Sequence, residues 1–306
     1  MRLVFFGTAA FAVPSLRACA ANHDVLVVVT QPDRPGARGR PASRPVAEAA
    51  RALSLEVWQP ERVREPSVQA RITALGGDAL VVAAFGQIIP ERLLDAHRHG
   101  GVNVHASLLP RWRGAAPVAA AILAGDPETG VSIMRMDRGL DTGPVFLQRR
   151  VTIAPDATTP AVTSELAGIG AEALLEVLTR LMDGAITAVP QDEASATHAP
   201  RLTRADAVTD WAACDALDVD RRVRALQPWP GVLATLDGVE VQIVAGGPDA
   251  GRGAVAPGQI VRSEGESLVV AARSGAYRID LVTPPGRRTM SPAAFLRGRR
   301  TGSARR

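Results

Sequence analysis

The chain contains no lysine. All 35 of its Lys-or-Arg positions are arginine, so every side-chain cation is a planar guanidinium suited to bidentate contacts with carboxylate or phosphate. Aromatic residues are only 4 % of the 306 positions, while hydrophobic residues make up 46 %. A core of ordinary size can therefore form, but it must be built mostly from Ala, Val and Leu. The two cysteines, Cys19 and Cys214, stand far apart with no CxxC and no Cys/His spacing. This argues against a disulfide framework and a zinc site, and it predicts a cytoplasmic protein without a metal. No run approaches the roughly 18 apolar residues of a membrane span. The opening MRLVFFGTAAFAVPSLRACAAN imitates a signal peptide, but Gly7, Pro14 and Arg17 interrupt it, and it reads better as strand, turn and helix. A dinucleotide fingerprint is also missing. After the apolar RLVFF there is one glycine, Gly7, where GxGxxG requires three, so no nicotinamide cofactor is expected.

What is present is unevenly placed. Residues 1–200 hold 19 Arg against 20 Asp plus Glu, a net of −1, whereas residues 201–306 hold 16 Arg against 11 acids, a net of +5. A basic segment behind a neutral one points to a polyanionic partner such as nucleic acid, with a merely soluble basic surface as the alternative.

In chain order, buried strand-like runs (residues 2–6, 25–30 and 79–84) alternate with helical stretches (residues 10–21, 46–53 and 67–75). That alternation predicts a Rossmann-like, mostly parallel α/β sheet. Residues 31–45, QPDRPGARGRPASRP, hold four prolines, two glycines and the arginines Arg34, Arg38, Arg40 and Arg44. No helix or strand runs through such a loop, and its arginines could order on a phosphate backbone. Phe85, Gly86 and Gln87 end the third apolar run, where ligands of open α/β sheets bind, and are candidates for a pocket wall. A further helix is expected over residues 116–124, strands over 131–136 and 145–152, and a long helix over 159–182. Residues 190–204, rich in Pro, Ala, Ser and Thr, read as a linker between domains at 1–189 and 205–306. Five short strand-like runs between residues 232 and 281 then predict a small OB-like β-barrel.

The most informative stretch is residues 101–117, GVNVHASLLPRWRGAAP. Asn103 and His105 are two apart in an extended segment, so both side chains leave one face. An isolated His beside an apolar run is usually structural, yet an amide donor with an imidazole is what acyl transfer at neutral pH requires. Asp141 follows the next expected strand, so its loop and the end of the 101–105 strand could meet at one end of a sheet. Asn, His and Asp would then form a general acid/base site. Asp137 is the competing acid in that loop, with a surface turn as its other reading.

With these residues in hand, NVHASLLPRWRGAAP followed by GVSIMRMDRGLDTGPV resembles the signature of formyltransferases that use 10-formyltetrahydrofolate. The segments FFGTAAFAVPSL, TQPDRPGARGRP, FGQIIP, RLTRADAVTDW and RVRALQPWPGV make the chain similar to the methionyl-tRNA formyltransferases over nearly its whole length. The resemblance implies a formyltransferase fold, catalytic roles for Asn103, His105 and Asp141, and a folate site lined by Ser107, Leu108, Leu109 and Pro110. Phe85, Gly86, Gln87 and Asp137 are counted with that site. It implies 10-formyltetrahydrofolate and methionyl-initiator-tRNA as substrates of a monomer, with Arg34, Arg38 and Arg40 and the basic second domain toward the tRNA. Arg38 best matches the acceptor-stem contact, although this loop is shorter and lacks the family's paired lysines. Residues 299–306 match nothing in the pattern. Two alternatives stay open: formyl transfer to a small amine (a nucleotide sugar or glycinamide ribonucleotide), and a non-catalytic RNA-binding relative.

Overall fold

The continuous apolar runs become the central strands, because a parallel strand buried on both faces has no polar side to alternate with. The computed structural model describes residues 1–33, 45–236, 238–251 and 253–303. Along the chain run β1 (Arg2–Gly7), α1 (Val13–Asn22), β2 (Asp24–Val29), α2 (Pro45–Ala52), β3 (Val57–Trp58), α3 (Pro66–Ala74), β4 (Ala79–Ala83) and α4 (Glu91–Asp95). They are followed by β5 (Gly101–His105), β6 (Arg113–Gly114), α5 (Pro117–Ala124), β7 (Glu128–Arg135), β8 (Val145–Thr152), α6 (Thr159–Met182) and β9 (His198–Ala199). The remainder is α7 (Ala216–Ala225), β10 (Val232–Leu236), β11 (Val239–Asp249), β12 (Ile260–Glu264), β13 (Ser267–Ala271), β14 (Ala276–Thr283) and α8 (Pro292–Ser303).

A seven-stranded sheet has the order β3-β2-β1-β4-β5-β7-β8. Its first five strands are parallel, and β7 and β8 add to the β5 edge antiparallel. This is the mostly parallel α/β sheet expected. Val4 and Phe6 of β1, Val27 and Val29 of β2, and Leu80 of β4 pack into one buried cluster with Ile72 and Phe85. The Phe6 and Phe85 rings meet edge to face with centroids 5.2 Å apart, a favoured aromatic geometry. Burial of side chains such as these supplies about 1.5–3 kcal/mol each before the entropy of ordering is counted.

The chain divides into two compact units that are not contiguous in sequence. One takes residues 1–117, 128–152 and 162–199; the other takes residues 118–127, 153–161 and 200–306. Residues 190–199 of the expected linker therefore sit within the first unit, where β9 pairs in parallel with β6. Composition alone suggested a tether because Pro, Ser and Thr obscure any periodicity.

The second unit carries an antiparallel sheet ordered β10-β11-β14-β13-β12. Among the described residues no ladder joins β10 to β12, so it is a five-stranded sheet in place of a closed barrel. Val219 and Val223 of α7, Val241, Ile243, Tyr277 and Phe295 form its core. Helix α7 starts on a reciprocal cap: Asp218 N–H donates to Asp215 Oδ1 at 2.9 Å, and Asp215 N–H to Asp218 Oδ2 at 3.1 Å. Helix α8 was not expected from the Arg- and Gly-rich end of the chain. Ala294 N–H donates to Ser291 Oγ at its start, and Phe295, 3 % exposed, anchors it in the core.

Candidate active site

Strand β5 sorts its residues by alternation. Val104 faces α6, and a Cβ built on Gly170 of that helix would lie 2.8 Å from Val104 Cγ1, so only glycine lets the helix sit this close. Asn103 and His105 consequently leave the opposite face. Asn103 is half-buried and His105 only 7 % exposed.

Asp141 reaches that face by a different route from the one expected. Strand β7 runs antiparallel to β5, pairing Arg135 with Val102 and Ser132 with His105. Its C-terminal end therefore lies at the start of β5, away from His105, and the two loops do not converge simply by sharing a sheet end. The loop between β7 and β8 instead folds back. Asp141 takes a left-handed backbone conformation, φ +56°, uncommon for a residue with a side chain. Gly143 passes so close to β7 that a Cβ would lie 1.9 Å from the Arg135 carbonyl oxygen.

The three side chains expected to act together do meet. Asn103 Nδ2 donates to Asp141 Oδ1 at 3.3 Å, and His105 Nδ1 stands 3.6 Å from Asp141 Oδ2. Gly114 N–H donates to Asp141 Oδ2 at 2.9 Å. His105 Nε2 lies 3.0 Å from the Trp112 carbonyl oxygen, so a ring protonated at Nε2 donates there and turns Nδ1 toward Asp141. Asp141 is 12 % exposed. An amide with a second N–H to give, an imidazole and a carboxylate thus share one shielded face, a donor set suited to a developing oxyanion and a moving proton.

The loop after β5 is pinned from within. Ser107 Oγ donates to the Arg111 carbonyl at 2.6 Å, Ser132 Oγ donates to the Ser107 carbonyl at 2.7 Å, and Leu109 N–H donates to Ser132 Oγ at 3.0 Å. Gln148 Nε2 donates to the Leu109 carbonyl at 2.8 Å. Ser107 and Leu109 are buried, whereas Leu108 and Pro110 are half-buried. Phe85 is buried in the core, its carbonyl accepting from Thr8 Oγ1 at 3.0 Å and Gln31 Nε2 at 2.9 Å. Gly86 is exposed beside it, and Gln87 Oε1 accepts from Val63 N–H at 2.9 Å. These segments can offer a ligand shape and main chain more than free side-chain donors. Asp137 is exposed, and its Oδ1 accepts from Gly139 N–H at 2.9 Å and Thr142 Oγ1 at 2.7 Å, the geometry of a self-closed turn.

Arg34, Arg38 and Arg40 lie outside the described residues. The root of their loop is described: Gln59 Nε2 donates to Asp33 Oδ1 at 2.6 Å and to the Gln31 carbonyl at 3.1 Å.

Sequence reading passed over three residues next to the site. Arg113, 3 % exposed, sends Nη1 and Nη2 to Glu193 at 2.9 and 2.7 Å, and Nε and Nη2 to Gln191 Oε1 at 3.0 and 2.9 Å. Glu193 raises the Arg113 guanidinium further above its ordinary value, and Arg113 in turn holds the Glu193 carboxyl below the usual range. Gln191 Nε2 donates to the carbonyls of Asp141 and Gly143 at 2.8 and 2.6 Å. The available signal was QDE standing alone in a stretch of small residues. Among the described residues no group of three or more His, Cys, Asp and Glu could hold a metal ion, and no helix is long and apolar enough to cross a membrane.

Comparison with known proteins places two family models end to end. Formyl transferase matches residues 1–178, and formyl transferase, C-terminal domain, matches residues 201–300. A methionyl-tRNA formyltransferase of Acidiphilium cryptum is 48 % identical over 301 residues, covering 97 % of each chain. Among solved structures, the sugar 3N-formyl transferase WlaRD, crystallised with dTDP and 5-N-formyl-THF, aligns at TM-score 0.67 and 15 % identity, covering 94 % of this chain and 99 % of its own. HypX from Aquifex aeolicus in complex with tetrahydrofolic acid aligns at TM-score 0.65 and 19 % identity, covering 97 % of this chain and 47 % of its own. At those identities the two structures speak for the fold alone.

Proposed function

The chain belongs to the formyl transferase family, and from that premise we propose that it formylates the α-amino group of methionyl-initiator-tRNA, with 10-formyltetrahydrofolate as donor. The observation that carries the acceptor is likeness to methionyl-tRNA formyltransferases across both domains, at 48 % identity over 97 % of each chain. A core shared with small-amine formyltransferases could not by itself select tRNA. The basic second unit and the arginines at 34, 38 and 40 suit the polyanion, where phosphate contacts position the substrate.

In the reaction a bond forms between the neutral α-amine and the formyl carbon, the bond from that carbon to folate N10 breaks, and the amine proton ends on N10. Asn103 Nδ2, with one N–H on Asp141, has a second to place on the carbonyl oxygen as it becomes an oxyanion. Such a donor lowers the barrier by on the order of 3 kcal/mol. His105, with Nε2–H on the Trp112 carbonyl, presents Nδ1 beside Asp141 Oδ2, so a proton taken up at Nδ1 is shared with the carboxylate and the pair handles the amine proton. The half-buried Leu108 and Pro110, with the pinned main chain around them, fit the apolar and polar halves of a folate-like ligand.

The experiment is direct formylation. Purified protein with 10-formyltetrahydrofolate and charged initiator tRNA yields formylmethionyl-tRNA. No product with an active folate, or equal turnover on glycinamide ribonucleotide or an amino sugar nucleotide, would sink the assignment.

A further inference from the structure

Asp141 is the one member of the candidate triad that its own secondary structure does not hold. Asn103 and His105 sit on β5, whereas Asp141 lies in a loop at φ +56°, a conformation that persists only where surrounding contacts impose it. The contact on its backbone comes from Gln191, 50 positions further along the chain. Gln191 is half-buried, and its amide can be oriented in one way only. Its Oε1 receives two Arg113 N–H groups, which cannot accept, and its Nε2 faces the carbonyls of Asp141 and Gly143, which cannot donate. Arg113 is fixed in turn by the Glu193 carboxylate, with one guanidinium fork filling both oxygens. The result is a chain of hydrogen bonds from Glu193 through Arg113 and Gln191 to the backbone of Asp141, charge-assisted as far as Gln191. The next residue after Arg113, Gly114, donates its N–H to the Asp141 side chain. Strand β6 thus reaches the Asp141 carboxylate directly through Gly114, and the Asp141 backbone indirectly through Arg113 and Gln191.

We propose that Gln191 is a positioning residue for the transfer reaction. It clamps the Asp141–Gly143 backbone so that the Asp141 carboxylate is presented to Asn103 and His105, with Arg113 and Glu193 setting its orientation. The inference rests on the proposed role of Asp141. It makes the segment after the first unit's long helix, residues 191–193, part of the active-site support.

The test uses the full-length protein and formylation of charged initiator tRNA. Gln191→Glu keeps the size of the side chain and its acceptor for Arg113 but removes the donor to Asp141 and Gly143. Expected is a loss in kcat of about 10- to 100-fold, as small displacements of a reacting group produce. KM for both substrates should stay within about two-fold, because no substrate contact is removed. In an Asp141→Asn background the same change should cost less than about two-fold, since coupled residues are not additive. A Gln191→Glu enzyme with full kcat overturns the proposal, and so does an equal loss in both backgrounds, which would mark Gln191 as a general structural residue. Should Gln191→Glu fail to fold, Gln191→Met, which also lacks the donor, is read by the same cycle. If Asp141→Asn alone keeps full turnover, the role of Asp141 itself falls and takes this proposal with it, a result separable from failure of the clamp because it needs no substitution at Gln191.

Discussion

The main-chain N–H of Gly114 donates to Asp141 Oδ2 across 2.9 Å, at a point where Gly114 has φ +119° and a Cβ would lie 2.6 Å from the Ala199 carbonyl oxygen. A surface-looking turn in RWRG is therefore a backbone donor aimed at the candidate triad, pressed against β9. Gly114→Ala should push β6 away from β9 and lengthen that hydrogen bond. A loss of about 1–3 kcal/mol in stability is expected from the strained φ, together with a fall in kcat. Thermal unfolding and steady-state formylation would read both, and an alanine variant of unchanged stability and turnover would contradict this account.

His105→Ala is expected to lower kcat by about 10²–10⁴, the usual range for removing a general acid/base, while the tRNA dissociation constant stays unchanged. The ring is shielded beneath the Trp112 carbonyl, so its removal should not disturb a polyanion-binding surface. Filter binding alongside single-turnover formylation separates the two effects. Near-normal turnover would remove His105 from the chemistry.

Arg38→Ala is expected to weaken discrimination between initiator and elongator methionyl-tRNA and to reduce the steepness with which affinity falls with salt, by about one counterion. The measurement is kcat/KM on both tRNAs across a salt series. Equal loss on the two tRNAs would reassign Arg38 to non-selective phosphate contact.

Burial pushes the Cys19 thiol from its ordinary value of 9.0 up to about 12. The folded chain keeps the proton when the unfolded chain has lost it. Its contribution to stability is therefore whole below pH 9 and declines as pH rises toward 12. Native protein at pH 8 should alkylate at Cys214, which is half-buried, well before Cys19, and Cys19→Ala should flatten the alkaline limb of Tm against pH. Rapid labelling of Cys19 without denaturant would be inconsistent with its burial in α1.

Much of this protein is determined by local sequence. The fully apolar runs of β1, β2 and β4 could pack only as inner parallel strands, and α6 was legible over its full span because an amphipathic repeat of that length admits little else. The pairing of Asn103 with His105 on one face follows from the period of a strand. What sequence could not contain is the direction of β7. An antiparallel partner carries Asp141 to the far end of β5, and only tertiary contacts bring it back: Gln191 on its backbone, Gly114 and Asn103 on its carboxylate. Those contacts join residues far apart in the chain through polar groups that have no periodicity, which is why the stretch at residues 190–199 reads as a tether by composition and stands in the fold as part of the site's support.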